Sequence, residues 1–171
     1  MTAPIRRGFV DIAAGQIHYR MAGDAAAPRI ALIHQSPGSS KQLEGLMRCL
    51  ARHRHVVAPD TPGNGDSTPA PQAEPDIFAL AAAHWEALDR LLPGPFDLYG
   101  SHTGASIAME IAIAHPDRVR RLVIDGMGLY AAGEQSEIIE RYAREIRPDP
   151  EGTHLLKVCR TGNVAADRYD R

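Results

Sequence analysis

Leu98-Tyr99-Gly100-Ser101-His102-Thr103-Gly104-Ala105 carries the reading of this chain. The residues leading into it, Pro95 to Tyr99, form a short apolar run of strand type. Those that follow, Ala105 to Ala114, are helix formers with side chains small enough to pack against a sheet. Gly100 and Gly104 stand between the two. Glycines at that spacing let a strand turn sharply into a helix close to its neighbours and aim the residue midway between them outward. That residue is His102. Centring the turn on Ser101 puts Tyr99 and Thr103 at the crowded positions, where a Cβ is poorly tolerated. Ser106 falls about one helical turn further on, so neither serine fits the frame.

Two upstream blocks share the order of a strand followed by a loop of small residues. Ile30 to Ile33 runs into His34-Gln35-Ser36-Pro37-Gly38-Ser39-Ser40. Val56 to Ala58 runs into Pro59-Asp60-Thr61-Pro62-Gly63-Asn64-Gly65-Asp66-Ser67. Helical patterns fill Lys41 to Arg52 and Ile77 to Leu92.

On these residues the chain resembles the α/β-hydrolase family, from Ile17 to Met127. I-H-Y-R-M-A-G is similar to the family's early strand and turn, L-I-H-Q-S-P-G-S-S to its oxyanion loop, and A-P-D-T-P-G-N-G-D-S to its A-P-D-x-x-G-x-G-x-S segment. H-P-D-R-V-R-R-L-V-I-D looks like the approach to its sixth strand. The resemblance implies the α/β-hydrolase fold, a mostly parallel sheet flanked by helices. Residues 1–130 would form the core, with strands one to six, and residues 131–171 the start of a helical cap. The fold is expected to be C-terminally incomplete.

Two residues depart from the family pattern. Gln35 stands where the loop usually has a glycine, and His102 stands where the turn usually carries a nucleophilic serine. The family's later acid and histidine lie beyond its cap, on strands for which there is no signal here. The tail instead reads as helical from Glu134 to Arg147, broken at Pro148 to Gly152, and helical again from Thr153 to Arg160. Without those strands, Leu122 to Ile124 is expected to be an unpaired apolar sheet edge, open to self-association or a partner.

A neutral imidazole held at the N-terminus of the helix from Thr103 supports two chemical roles for His102, as a nucleophile forming an acyl-imidazole or as a general base on water. Asp125, after the sixth strand, is the candidate acid to orient it. Backbone N–H groups of Ser36 and Thr103 are the expected oxyanion donors, with His34 and Gln35 completing the substrate-binding loop. The functional expectation is a hydrolase of a small organic ester, amide or carbon–carbon bond working through an atypical histidine. The alternative is a non-catalytic, truncated or degenerate hydrolase fold that binds a small ligand or a partner.

Other polar residues are given structural roles. Asp60 is read as fixing its loop, Ser36, Ser39 and Ser40 as capping the backbone, and Trp85 as packing. His53, His55, His84, His115 and His154 are read as surface or structural histidines. His34 and His102 do not make a metal site, because a third ligand has no assured place beside them. No cofactor motif is present: no Lys-Ser or Lys-Thr pair follows the turn glycines.

The formal net charge of −2 gives no electrostatic case for nucleic acid or an anionic membrane. Two cysteines, Cys49 and Cys159, are too few for a disulfide framework and favour a reducing compartment. Neither a signal-peptide core nor an apolar run of membrane-spanning length is present. The expected setting is therefore cytoplasmic, with a small-molecule substrate as the partner.

Overall fold

A computed structural model describes residues 4–128 and, beyond them, residues 133, 134, 150, 151 and 153. The chain divides into two compact units, Met1–Gly128 and Leu129–Arg171, and the architecture below is that of the first. Apart from Glu134 and Thr153 themselves, the two helices expected after residue 133 lie outside the described residues.

Six strands make one sheet in the order β1-β2-β4-β3-β5-β6. They are β1 (Arg6–Ile12), β2 (Gly15–Ala22), β3 (Arg29–Ile33), β4 (His55–Pro59), β5 (Phe96–Ser101) and β6 (Val119–Asp125). β4, β3, β5 and β6 run parallel. β1 pairs antiparallel with β2, and β2 antiparallel with β4. The parallel part follows the apolar runs of the sequence to within a few residues. β1 was not expected: its charges, and an exposed Phe9, disguise the short apolar alternation of an edge strand.

Helices cover both faces of the parallel part, which explains why its strands read as continuous apolar runs rather than alternating ones. On one face, Ala31, Ile33, Val57 and Leu98 pack against Leu80 and Leu88 of α2 (Ile77–Leu91) and Ile107 and Ile111 of α3 (Thr103–Ala114). On the other, Leu32, Val56 and Ala58 meet Leu43 and Met47. There the expected helix from Lys41 begins as a 3-10 turn, Ser40–Leu43, before α1 (Glu44–Leu50). Asp76 caps α2 by accepting from the Ala79 N–H at 2.8 Å, which satisfies one of the orphan donors of the first turn.

β6 lies at the sheet edge among the described residues. Val123 is 52 % and Ile124 38 % exposed there, as large apolar side chains seldom are in a parallel strand.

Candidate functional site at the strand ends

The turn from β5 into α3 is built by backbone contact. A Cβ at Gly100 would lie 2.1 Å from the Gly104 carbonyl oxygen, and one at Gly104 would lie 2.4 Å from the Ile33 carbonyl oxygen. Only glycine allows α3 to approach β5 and β3 this closely. His102 sits between them with φ 50° and ψ −112°, the one non-glycine residue of positive φ among those described. Its N–H donates to the Asp125 carbonyl at 2.7 Å, and its own carbonyl accepts from Ala105 at 2.9 Å, so the strained turn is held from both sides. The exposed imidazole lies over Gly126, where a Cβ would come within 2.8 Å of the ring.

The chemistry expected of that histidine is corrected by its surroundings. Asp125 does not engage the imidazole. Its carboxylate accepts from the Tyr99 hydroxyl at 2.7 Å, and burial together with that bond pushes the Tyr99 phenol above its ordinary range. The serine buried at a strand-to-helix turn is Ser40, not a histidine, and it lies where the loop after β3 enters the 3-10 turn. The reading of the chain as an enzyme with an atypical nucleophilic His102 is therefore withdrawn.

Ser40 does not complete a triad either. Its Oγ accepts from the Arg20 guanidinium at 2.7 Å, and a guanidinium cannot take up its proton. Its N–H donates to Asp60 Oδ1 at 2.6 Å, while His18 Nδ1–H donates to the other oxygen at 2.8 Å. Asp60 is thus bonded by both the side chain and the backbone of Ser40, whereas His18 bonds the carboxylate and not the serine, so no imidazole stands ready to take the Ser40 proton. Burial alone would raise the Asp60 carboxyl, but hydrogen bonds from Ser40, Asp66 and His18 outweigh it and hold the group below the usual carboxylate range. Among the described residues no Ser–His–Asp triad is assembled.

The remaining expected residues lie on the loop after β3 and at the start of α3. His34 is fully buried: Nδ1–H donates to the Gln35 carbonyl at 2.7 Å, and Nε2 accepts from the Thr61 N–H at 2.9 Å. Nε2 thus straps the loop after β3 to the loop after β4 while Nδ1 is satisfied within its own loop, and burial lowers the pKa and keeps the ring neutral. Ser36 is exposed, and Thr103 opens α3, where backbone N–H groups lack helical partners. Gln35 lines a polar hollow of about 280 Å³ with Gln42, Leu43 and Ser101. The sequence gives no role to Gln42, excludes Ser101 as the centre of the turn, and casts Ser40 as a loop cap. What brings them together is strand register and a turn of helix, which no local motif signals.

His18, Asp60 and Asp66 place one potential metal-ligand atom each within 4.8 Å of one another. Arg7 already fills that position, with Nε donating to His18 Nε2 at 3.0 Å and its guanidinium paired with Asp66. The donor set does not fit a resident cation.

Comparison with known proteins agrees with this architecture. The model of the alpha/beta hydrolase fold family matches residues 28–156, and the chain belongs to that family. An uncharacterized hydrolase of Saccharomyces cerevisiae is 28 % identical over 138 residues, covering 79 % of this chain and 48 % of the yeast protein. The 2-hydroxy-6-oxo-2,4-heptadienoate hydrolase of Pseudomonas putida is 32 % identical over 123 residues, covering 67 % of this chain and 43 % of its own length. Among solved structures, wild-type Cfl2 from Burkholderia cenocepacia superposes with a TM-score of 0.73 at 26 % identity, over 92 % of this chain and 56 % of that one. The chain thus spans about half the length of the curated relatives it matches.

Proposed function

We propose that this chain is a ligand-binding form of the hydrolase fold, taking a small neutral organic molecule at the strand ends without turning it over. The observation that carries this reading is the way the candidate catalytic groups are spent. Arg20 holds Ser40, Tyr99 holds Asp125, and both nitrogens of His34 are engaged in bonds to the backbone. The hollow beside them offers two carboxamides and a hydroxyl around Leu43, which suits a ligand with an amide or ester group and a short apolar tail. Ser36 and His102 adjoin its lining residues Gln35 and Ser101 in sequence, and with Thr103 they are assigned to the same ligand site.

The wider setting follows from bulk properties. A net charge of −2 supports neither nucleic acid nor an anionic membrane as a partner. No helix among the described residues is long and apolar enough to cross a membrane. An exposed free Cys49 suits a reducing, cytoplasmic location. Self-association through the edge of β6 accompanies this reading.

Two assays test it. Wild type, Ser40→Ala and His102→Ala are expected to release p-nitrophenol from p-nitrophenyl butyrate at one common background rate. Butyramide is expected to raise the Tm of the wild type and leave that of Gln42→Leu unmoved. Turnover by the wild type that disappears in either folded alanine variant would defeat the proposal.

A further inference from the structure

Away from the strand ends, α2 and α3 pack side by side and leave a slot of about 220 Å³ between their outer faces. Its walls are mostly apolar and small, with Ala81 and Ala82 on α2, and its mouth carries two aromatic side chains, Phe78 and Trp85. Phe78 is 67 % exposed and has no ring partner among the described residues. Trp85 is fixed: His115 stacks on its ring with centroids 3.5 Å apart and planes 9° from parallel, and the Arg118 guanidinium carbon lies 5.1 Å from its centroid.

Two polar side chains enter this lining: His115, already stacked on Trp85, and Glu110. Glu110, half-buried on α3, is the only carboxylate in the wall, and its side chain makes no hydrogen bond or ion pair among the described residues. Nearby acids are treated differently. Asp89 is paired with Arg118, and Glu86, one helical turn before Arg90, is paired with that arginine. A carboxylate left unpaired beside apolar walls and an unpartnered aromatic ring is complementary to a group that is cationic at one end and apolar at the other. The volume is sufficient, since a cavity of about 150 Å³ accommodates a benzene ring.

We propose that this slot binds amphiphilic organic cations, with an aryl or alkyl body between α2 and α3 and an ammonium group at Glu110. The site shares no residue with the strand-end hollow, so it stands whether or not that hollow binds its own ligand. Anionic ligands are rejected by the same carboxylate, and neutral ones of the same shape lose the charge contact while keeping the apolar one.

Trp85 is the only tryptophan of the chain and reports directly on occupancy. Titrating 3-phenylpropylammonium into the full chain is expected to give a saturable change in indole fluorescence. Binding of 3-phenylpropan-1-ol should be about fivefold weaker, as befits an ion pair at a partly exposed site, and 3-phenylpropanoate should be weaker still. Glu110→Gln should bring the ammonium down to the level of the alcohol without changing the alcohol's own affinity. Ala82→Leu, a substitution at an exposed helical position, should fill the slot and remove binding of all three. Equal affinity of the ammonium and the alcohol, or an ammonium affinity unchanged in Glu110→Gln, overturns the proposal. Equilibrium dialysis covers the case of a silent fluorophore, and absence of binding there overturns it as well.

Discussion

His84 shows how one side chain can couple the fold to pH. It is fully buried in α2, its Nε2 meets the Thr61 hydroxyl at 3.1 Å, and its Nδ1 has no partner among the described residues. Burial, reinforced by the nearby His34, lowers its pKa from 6.5 to about 3. Between those two values the unfolded chain binds a proton that the folded chain refuses, so stability rises with pH across this window and falls on acidification. The slope from one such group is about 1.4 kcal/mol per pH unit. Asp60 acts lower on the pH scale: its depressed pKa contributes stability that is fully present above the unfolded carboxylate value of 3.8 and is lost as pH falls below it. Urea denaturation at pH 6 and pH 4.5 should therefore show a smaller loss of stability in His84→Leu than in the wild type. An equal loss in both would mean that His84 is protonated in the folded protein.

At the scale of elements, the contact between α3 and the sheet is the most specific feature of the chain. A Cβ at Gly104 would meet the carbonyl oxygens of Ile33 at 2.4 Å and His34 at 2.6 Å, and backbone cannot swing aside as a flexible side chain can. Gly104→Ala should therefore cost about 3 kcal/mol, at the upper end of overpacking substitutions, read as a lower urea midpoint at unchanged slope. A cost below about 1 kcal/mol would show that α3 can shift outward. The same contact explains why the turn was legible in the sequence: a close approach demands glycine at fixed spacing, and that is a local signal. The strap formed by His34 was half legible, since its loop position was recognised but its partner Thr61, on the loop after β4, was not. Ser40 was the least legible. Its role depends on Arg20 from β2 and Asp60 from the loop after β4, and residues so far apart in the chain leave no mark on the residues beside it. Asp125 misled for a related reason: register puts it across from Ser101 on the face that also carries Tyr99, and the nearer phenol takes the carboxylate.

On the scale of the whole molecule, the sheet is unequal at its two edges. β1 ends one side with charged residues, Arg6, Arg7 and Asp11, which discourage pairing with another chain. Among the described residues β6 ends the other with Leu122, Val123 and Ile124 in sequence, and two of these are exposed where a parallel sheet ordinarily buries both faces. Such an edge, unpaired among the described residues, offers backbone donors and acceptors next to apolar side chains, and a second copy of the same strand satisfies both at once. The proposed self-association should therefore appear as a concentration-dependent rise in mass by light scattering. Val123→Lys should suppress it by placing a charge in the pairing surface, while β6 keeps its ladder with β5 from Phe96 to Ser101 and the Tm stays within about 2 °C, as expected of an exposed substitution. A wild-type chain whose mass stays that of a monomer across the concentration range would show that β6 is shielded in another way.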